Sequence, residues 1–252
     1  MCAGAACTAV LAVVFVTSGM GNPAISMVAA AWLVLLPVLA LVQRPPPMSE
    51  LRAHRIGFYT TSVALLGVVA LVTLAVAPGL SHPDGLRLDW PAAPSHLLGP
   101  AALLTLAGLA VAYAFRVLSG PCGWRETEVV HGIMPATRRE RSMFALLAAT
   151  AGLSEELVFR GFLPAFLMPL SASYLLCALP VAVVFGFLHA YQGPHGILRT
   201  AVIGAVLAAG VAWTGSLWPS IFAHAALDLL FGLVLSKSLL GEPPAGPAME
   251  GA

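Results

Sequence analysis

The sequence predicts an all-α, polytopic membrane helical bundle of about eight transmembrane helices, with N- and C-termini cytoplasmic. Two observations carry that prediction. Hydrophobic residues make up 59% of the 252-residue chain and charged ones only 9%, against about a quarter charged in soluble domains. The apolar residues also fall in runs long enough for the ~20 helical residues that a hydrocarbon core requires. Those runs are continuous rather than alternating, which argues against a β-barrel. A formal net charge of +1 offers nothing to a phosphate backbone, so no nucleic-acid partner is expected.

The spans follow from the runs and the turn chemistry between them. The first, at 2–19, has no basic residue before it, so it reads as a transmembrane helix rather than a cleaved signal peptide. Gly21-Asn22-Pro23 separates it from 25–42, and Pro45-Pro46-Pro47 separates that from 57–78. Pro78-Gly79 opens a long loop at 79–96, and the fourth span, 97–118, ends at Gly120-Pro121. A second long loop, 119–141, leads into the fifth span at 142–168, followed by 173–190. Gly193-Pro194 precedes 197–213, and Thr214-Gly215-Ser216 precedes 217–236. The segment 241–252 is rich in Gly and Pro and reads as a disordered tail. No internal repeat is evident. The expected organisation is one membrane domain over 1–252, with an N-terminal transmembrane region at 1–120 and a distinct core at 140–236.

Orientation comes from the basic residues, which favour the cytoplasmic side. With the N-terminus in the cytoplasm, ten of the twelve lie inside, Arg87 alone lies outside, and Arg160 lies within a span. Arg138-Arg139-Glu140-Arg141 then reads as an interfacial anchor near anionic lipid. Arginine outnumbers lysine 11 to 1 and alanine and leucine abound, a bias of high-GC genomes. An integral protein of a bacterial cytoplasmic membrane is the expected setting. Cys2, Cys7, Cys122 and Cys177 form no CxxC pair and read as small hydrophobes.

The first four spans contain no Asp, Glu or His, and their only charge is Arg116, at an end where it can snorkel. The strongly polar side chains of the second half are Glu155, Glu156, Arg160, His189, His224 and Asp228. Ionisable groups at bilayer depth are costly and usually face a bundle interior where they serve a function. Glu156 and Arg160 are four apart, so they share a helix face and can pair. Glu155 is turned roughly 100° from Glu156 and stays available. Phe185 and His189, and His224 and Asp228, repeat the four-residue spacing. A Glu–Arg pair can be a packing lock alone, and a lone histidine an interhelical hydrogen-bonding group. Two histidines, an aspartate and an unpaired glutamate in one half of the chain favour a single polar site. His54, His82, His96, His131 and His195 lie in or beside loops, and His195 is the one nearest a motif.

Glu155-Glu156-x-x-x-Arg160, Phe185-x-x-x-His189 and His224-x-x-x-Asp228 resemble the three motifs of the CPBP (Abi) family of intramembrane endopeptidases, which includes the CAAX proteases. Thr214-Gly215-Ser216-Leu217-Trp218-Pro219 is similar to the family as well, and the resemblance spans about residues 140–235. It implies hydrolysis of a peptide bond in a membrane-associated protein or peptide. By the same resemblance Glu155 and His189 activate a water, and His224 and Asp228 stabilise the oxyanion. Glu156, Arg160 and Phe185 support the site. The family often has Asn where this chain has Asp228, and an ionised Asp cannot donate a hydrogen bond. Either Asp228 is protonated, or it orients and charges His224, and orientation is the reading favoured. No cofactor is favoured. A zinc held by Glu155, His189 and His224 is the alternative, although no HExxH helix is present. Two other functions stand beside the protease: a non-catalytic scaffold or immunity or secretion accessory factor, and a proton-coupled transporter.

Helical arithmetic exposes one conflict. At 1.5 Å per residue, Glu155 falls roughly 20 Å from the cytoplasmic edge and His189 only about 6 Å from it. A kink at Pro180, a dip of the turn Tyr191-Gln192-Gly193-Pro194-His195, or a break at Gly152 would each bring them together. The expectation is a polar cavity open to the cytoplasm and reaching about mid-membrane.

Overall fold

The computed structural model describes residues 22–44, 46–80, 85–171, 173–236 and 238. No strand occurs among them; every regular element is helical. We number the principal helices α1 (Pro23–Val42), α2 (Met48–Ala53), α3 (Arg55–Gly79), α4 (Pro94–Cys122), α5 (Glu128–Gly132), α6 (Arg138–Leu170), α7 (Tyr174–Leu188), α8 (Pro194–Thr214) and α9 (Trp218–Leu235). Six of these, α1, α3, α4, α6, α8 and α9, are long and apolar enough to cross a membrane. The expected span at 2–19 and the expected tail at 241–252 lie outside the described residues, as do Pro45, His82, Asp84 and Lys237.

The sixth expected span, 173–190, is observed as a helix that begins at Tyr174 and ends two residues early, at Leu188. Helix α7 holds 15 residues, about 22 Å at 1.5 Å per residue, against a core of about 30 Å. It stops because Leu188 is followed by His189 in a non-helical conformation and a single 3₁₀ turn, Ala190–Gln192. Gly193 then takes φ +82°, a region closed to most side chains, and lets α8 start at Pro194. The end of the helix and its turn set His189 against the Phe185 ring, which also meets His224. The α-helix runs unbroken through Gly152. That glycine instead permits close packing of α6 on α9, since a Cβ there would lie 2.9 Å from the Ala225 amide nitrogen.

Helix α6 is capped by its own sequence. The Thr137 hydroxyl accepts from Glu140 N–H at 3.2 Å, and Glu140 Oε2 accepts from Thr137 N–H at 2.9 Å, a reciprocal capping box. Arg55 of α3 comes within 3.6 Å of the same carboxylate, and Arg141 donates to Leu233 O of α9 at 2.9 Å. So two members of the basic cluster tie helices together, beyond any anchoring to lipid.

The middle of α6 departs from α geometry. Leu157–Phe162 forms a π turn immediately after the two glutamates. Pro164 explains the disturbance: it lacks an N–H and its ring would clash with the carbonyl four residues back. That carbonyl is Arg160 O, and it accepts instead from the Tyr174 hydroxyl at 2.8 Å. A second π turn, Ala31–Leu35, likewise precedes Pro37 in α1. The core gathers around the π turn of α6, where Phe159, Phe162, Leu163 and Phe166 pack against Val181 and Phe185 of α7.

Helix α7 packs on α8, and α9 packs between α6 and α4. At the end of the bundle where α8 turns into α9, the segment Arg87–Trp90 is strapped onto that turn. Leu217 N–H donates to Arg87 O at 2.9 Å, Ser216 Oγ to Asp89 O at 3.0 Å, and Trp218 Nε1 to Leu88 O at 2.9 Å. The Trp90 and Trp218 rings meet edge to face at 4.7 Å.

Candidate active site

Helix α6 brings Glu155, Glu156 and Arg160; α9 brings His224 and Asp228; the end of α7 brings Phe185 and His189. Glu156 and Arg160 are only 0% and 1% exposed, and burial of two charges is tolerated only where each finds a partner. Arg160 Nη1 donates to Glu156 Oε1 at 2.8 Å. His224 Nδ1 donates to the same oxygen, also at 2.8 Å. The expected Glu156–Arg160 pair is present, and His224 joins it, which the helical spacings did not indicate.

The other ring nitrogen of His224 faces the remaining carboxylates. Nε2 lies 3.6 Å from Glu155 Oε2 and 3.8 Å from Asp228 Oδ2. Glu155 and Glu156 thus straddle one imidazole, although the 100° turn between them suggested diverging directions. The hydrogen bond that orients His224 comes from Glu156, and Asp228 stands beyond hydrogen-bond distance on the opposite nitrogen.

His189 is joined to this group through Phe185. Its Nδ1 donates to Phe185 O at 3.1 Å. A carbonyl only accepts, so the proton sits on Nδ1 of the neutral ring and Nε2 keeps a lone pair. The Phe185 ring meets His189 at 4.8 Å and His224 at 6.0 Å, both edge to face. The Arg160 guanidinium lies 4.3 Å over the same ring, a cation–π contact in a desolvated setting. Phe185 is therefore the wall against which three of the polar side chains are set. Gly204 of α8 leaves the room: a Cβ there would lie 2.7 Å from Arg160 Nη2 and 3.3 Å from Phe185.

Part of this constellation opens onto a cavity of about 680 Å³. Glu155, His224 and Asp228 line it together with apolar side chains such as Phe58, Leu65 and Leu147. Its walls come from both halves of the chain, so the first spans contribute surface to the site although they hold none of its charges. Glu155, His189 and His224 do not form a converged donor set, and among the described residues no group of three or more His, Cys, Asp or Glu side chains is placed to hold a metal ion.

A second polar cluster borders the cavity, and the sequence pattern gave little warning of it. The carboxylate of Glu126, in the loop before α5, pairs with the Arg199 guanidinium of α8. His195 Nε2 lies 3.4 Å from Glu126, and its ring stacks on Trp124 at 6.1 Å. Arg199 Nη2 also donates to Gln192 Oε1 at 2.8 Å, and Thr127 Oγ1 donates to Tyr191 O at 2.6 Å. His195, singled out for its closeness to a motif, thus belongs to this cluster. The available signal was weak: polar residues in the turn that follows a motif histidine.

Residues 138–230 match the sequence model of the Rce1-like type II CAAX prenyl endopeptidases. No curated protein and no solved structure matches the chain. The matched segment holds all three motifs, from Glu155 through His189 to Asp228. Over this segment, well under half of its length, the chain is similar to the Rce1-like type II CAAX prenyl endopeptidases, a family of proteases.

Proposed function

We propose that this protein hydrolyses a peptide bond of a membrane-associated protein or peptide, with Glu155 activating the attacking water. The observation that carries the reading is the placement of Glu155 beside His224, 3.6 Å apart, on the wall of a 680 Å³ apolar-sided cavity. Glu155 makes no hydrogen bond to Arg160, whose charge is met by Glu156. Its carboxylate is therefore the free base of the pair, and the proton it takes from water can be passed to the leaving amine. His189, with Nδ1 committed to Phe185 O and Nε2 free to accept, holds the same water from the second side.

His224 is the electrophilic partner. Glu156 fixes Nδ1, so the ring presents Nε2 at a defined angle, and an N–H there donates to the oxygen on which charge develops. Asp228 lies on the Nε2 side and supports that proton electrostatically. Glu156, Arg160 and Phe185 hold the constellation without touching the reacting atoms.

The proposed topology has eight spans with both termini cytoplasmic and the cavity opening to the cytoplasm, in one membrane domain. The supporting observations are the six long apolar helices, the short seventh, and the positive-inside distribution of arginine. The test uses the purified full chain in lipid vesicles with a farnesylated CAAX peptide as probe, alongside comparison of membrane-protein termini in cells. Wild type releases the C-terminal fragment, and Glu155→Ala does not. Equal release by Glu155→Ala, with no terminus changed in cells, overturns the protease reading.

A further inference from the structure

Hydrolysis through a tetrahedral intermediate requires hydrogen-bond donors aimed at the new oxyanion, and such sites commonly use more than one. Of the charged groups on the cavity wall near Glu155, two are carboxylates, Glu155 and Asp228, and an ionised carboxylate can only accept. The Arg199 guanidinium reaches the same cavity but is engaged by Glu126 and Gln192. His224 is left as the single donor among the motif residues on that wall. A second donor, outside the motifs, would complete the usual arrangement.

Tyr191 meets the requirement. It lines the same cavity as Glu155, His224 and Asp228, and its ring lies 5.8 Å from that of His189. Its hydroxyl is oriented by a chain of hydrogen bonds whose polarity can be read in only one sense. A guanidinium donates and never accepts, so Arg199 Nη2 at 2.8 Å fixes the Gln192 amide with its oxygen toward Arg199. The amide NH₂ then faces the other way, and Gln192 Nε2 donates to the Tyr191 hydroxyl oxygen at 3.2 Å. The phenol receives a hydrogen bond there, so its own proton remains to be given. A phenol with its ordinary pKa of about 10 keeps its proton at neutral pH, and the nearby carboxylates of Asp228 and Glu155 favour that further.

The base of this chain is firmly set. Glu126 pairs with Arg199, and Thr127 Oγ1 holds the Tyr191 carbonyl at 2.6 Å. Side chain and backbone of Tyr191 are thereby both tied to the loop before α5, a preorganised arrangement that costs no reorganisation when charge develops.

We propose that Tyr191 is a catalytic residue that donates a hydrogen bond to the oxyanion of the tetrahedral intermediate, oriented by the Glu126–Arg199–Gln192 chain. The inference rests on the protease reading above. Water adds to the carbonyl carbon, its proton passes to Glu155, and the carbonyl oxygen takes the negative charge between His224 Nε2–H and the Tyr191 hydroxyl. When the C–N bond breaks, the C=O bond re-forms, the leaving nitrogen takes the proton from Glu155, and Tyr191 ends with the proton it began with.

The experiment compares wild type, Tyr191→Phe, Gln192→Glu and Glu155→Ala in vesicles. The probes are a farnesylated CAAX peptide and the same peptide with a phosphonate, a tetrahedral anion, in place of the scissile amide. Tyr191→Phe should lower kcat about 10²-fold, the loss typical of one oxyanion donor, with KM and melting temperature little changed. It should also bind the phosphonate at least about tenfold more weakly than wild type while binding the amide peptide equally. Gln192→Glu retains the tyrosine but supplies an acceptor that captures the phenol proton, so it should reproduce the loss. Equal kcat and equal phosphonate affinity in wild type and Tyr191→Phe overturn the proposal, while loss of cleavage in Glu155→Ala still upholds the protease. Wild type that neither cleaves the peptide nor binds the phosphonate, with no membrane-protein terminus changed in Glu155→Ala cells, overturns both.

Discussion

His224 Nδ1 donates to Glu156 Oε1 at 2.8 Å, and Arg160 Nη1 donates to that same oxygen at the same distance. One carboxylate oxygen thus neutralises a buried guanidinium and orients an imidazole. The two duties separate under mutation. Glu156→Leu leaves Arg160 buried and uncompensated, which costs about 3–5 kcal/mol. The double variant Glu156→Leu/Arg160→Met replaces the pair with apolar volume and should recover most of that stability. It should not recover cleavage, because His224 still lacks its partner. Thermal unfolding in detergent and peptide hydrolysis, measured on the same samples, check both halves.

Asp228 stands 3.8 Å from His224 Nε2, too far for a hydrogen bond. Asp228→Asn should therefore keep activity within about tenfold of wild type, whereas loss of the base in Glu155→Gln should reduce it by the 10²–10⁴-fold typical of general-base removal. An Asp228→Asn variant as inactive as Glu155→Gln shows instead that the negative charge itself is required.

Gly204 touches the site without belonging to it. Gly204→Ala places a methyl group 2.7 Å from Arg160 Nη2 and 3.3 Å from Phe185. Overpacking of this kind costs about 1–3 kcal/mol, and the strain falls on the side chains that position His224 and His189. Lower melting temperature together with lower kcat is the expected result. Gly67, with open space around it, provides the control: Gly67→Ala should alter neither.

The cavity predicts a labelling pattern. In a background without native cysteines, Ser62→Cys and Leu188→Cys, which line it, should react with a membrane-impermeant maleimide applied from the cytoplasmic side. Leu71→Cys, exposed on the outer face of α3, should be protected by lipid. Protection of both cavity positions contradicts a cytoplasmic opening.

Much of this arrangement was legible because charge inside a membrane span is costly and rare. Glu155, Glu156, Arg160, His189, His224 and Asp228 could be picked out one by one, and the i,i+4 rule paired Glu156 with Arg160. Periodicity within a helix says nothing about partners on another helix, so the bond from His224 to Glu156 stayed hidden. The end of α7 was misplaced for a related reason. Apolar residues run to Leu188 and resume at Ala190, and the stop depends on the conformations of His189 and Gly193 rather than on hydropathy. The Glu126–Arg199–Gln192–Tyr191 chain escaped notice because its members lie in loops or at helix ends, where polar residues are ordinary.

The strap from Arg87 to Trp90 has a consequence for dissection of the protein. Its three hydrogen bonds seat the turn from which α9 departs, and α9 carries His224 and Asp228. The family-matched segment begins only at residue 138, so it leaves behind the strap as well as the cavity wall supplied by Phe58 and Leu65. A fragment cut to the matched segment would retain every motif and lose the scaffold that aims them. The motif-bearing half is a part of the machine, and the walls of its cavity reach back into the first spans.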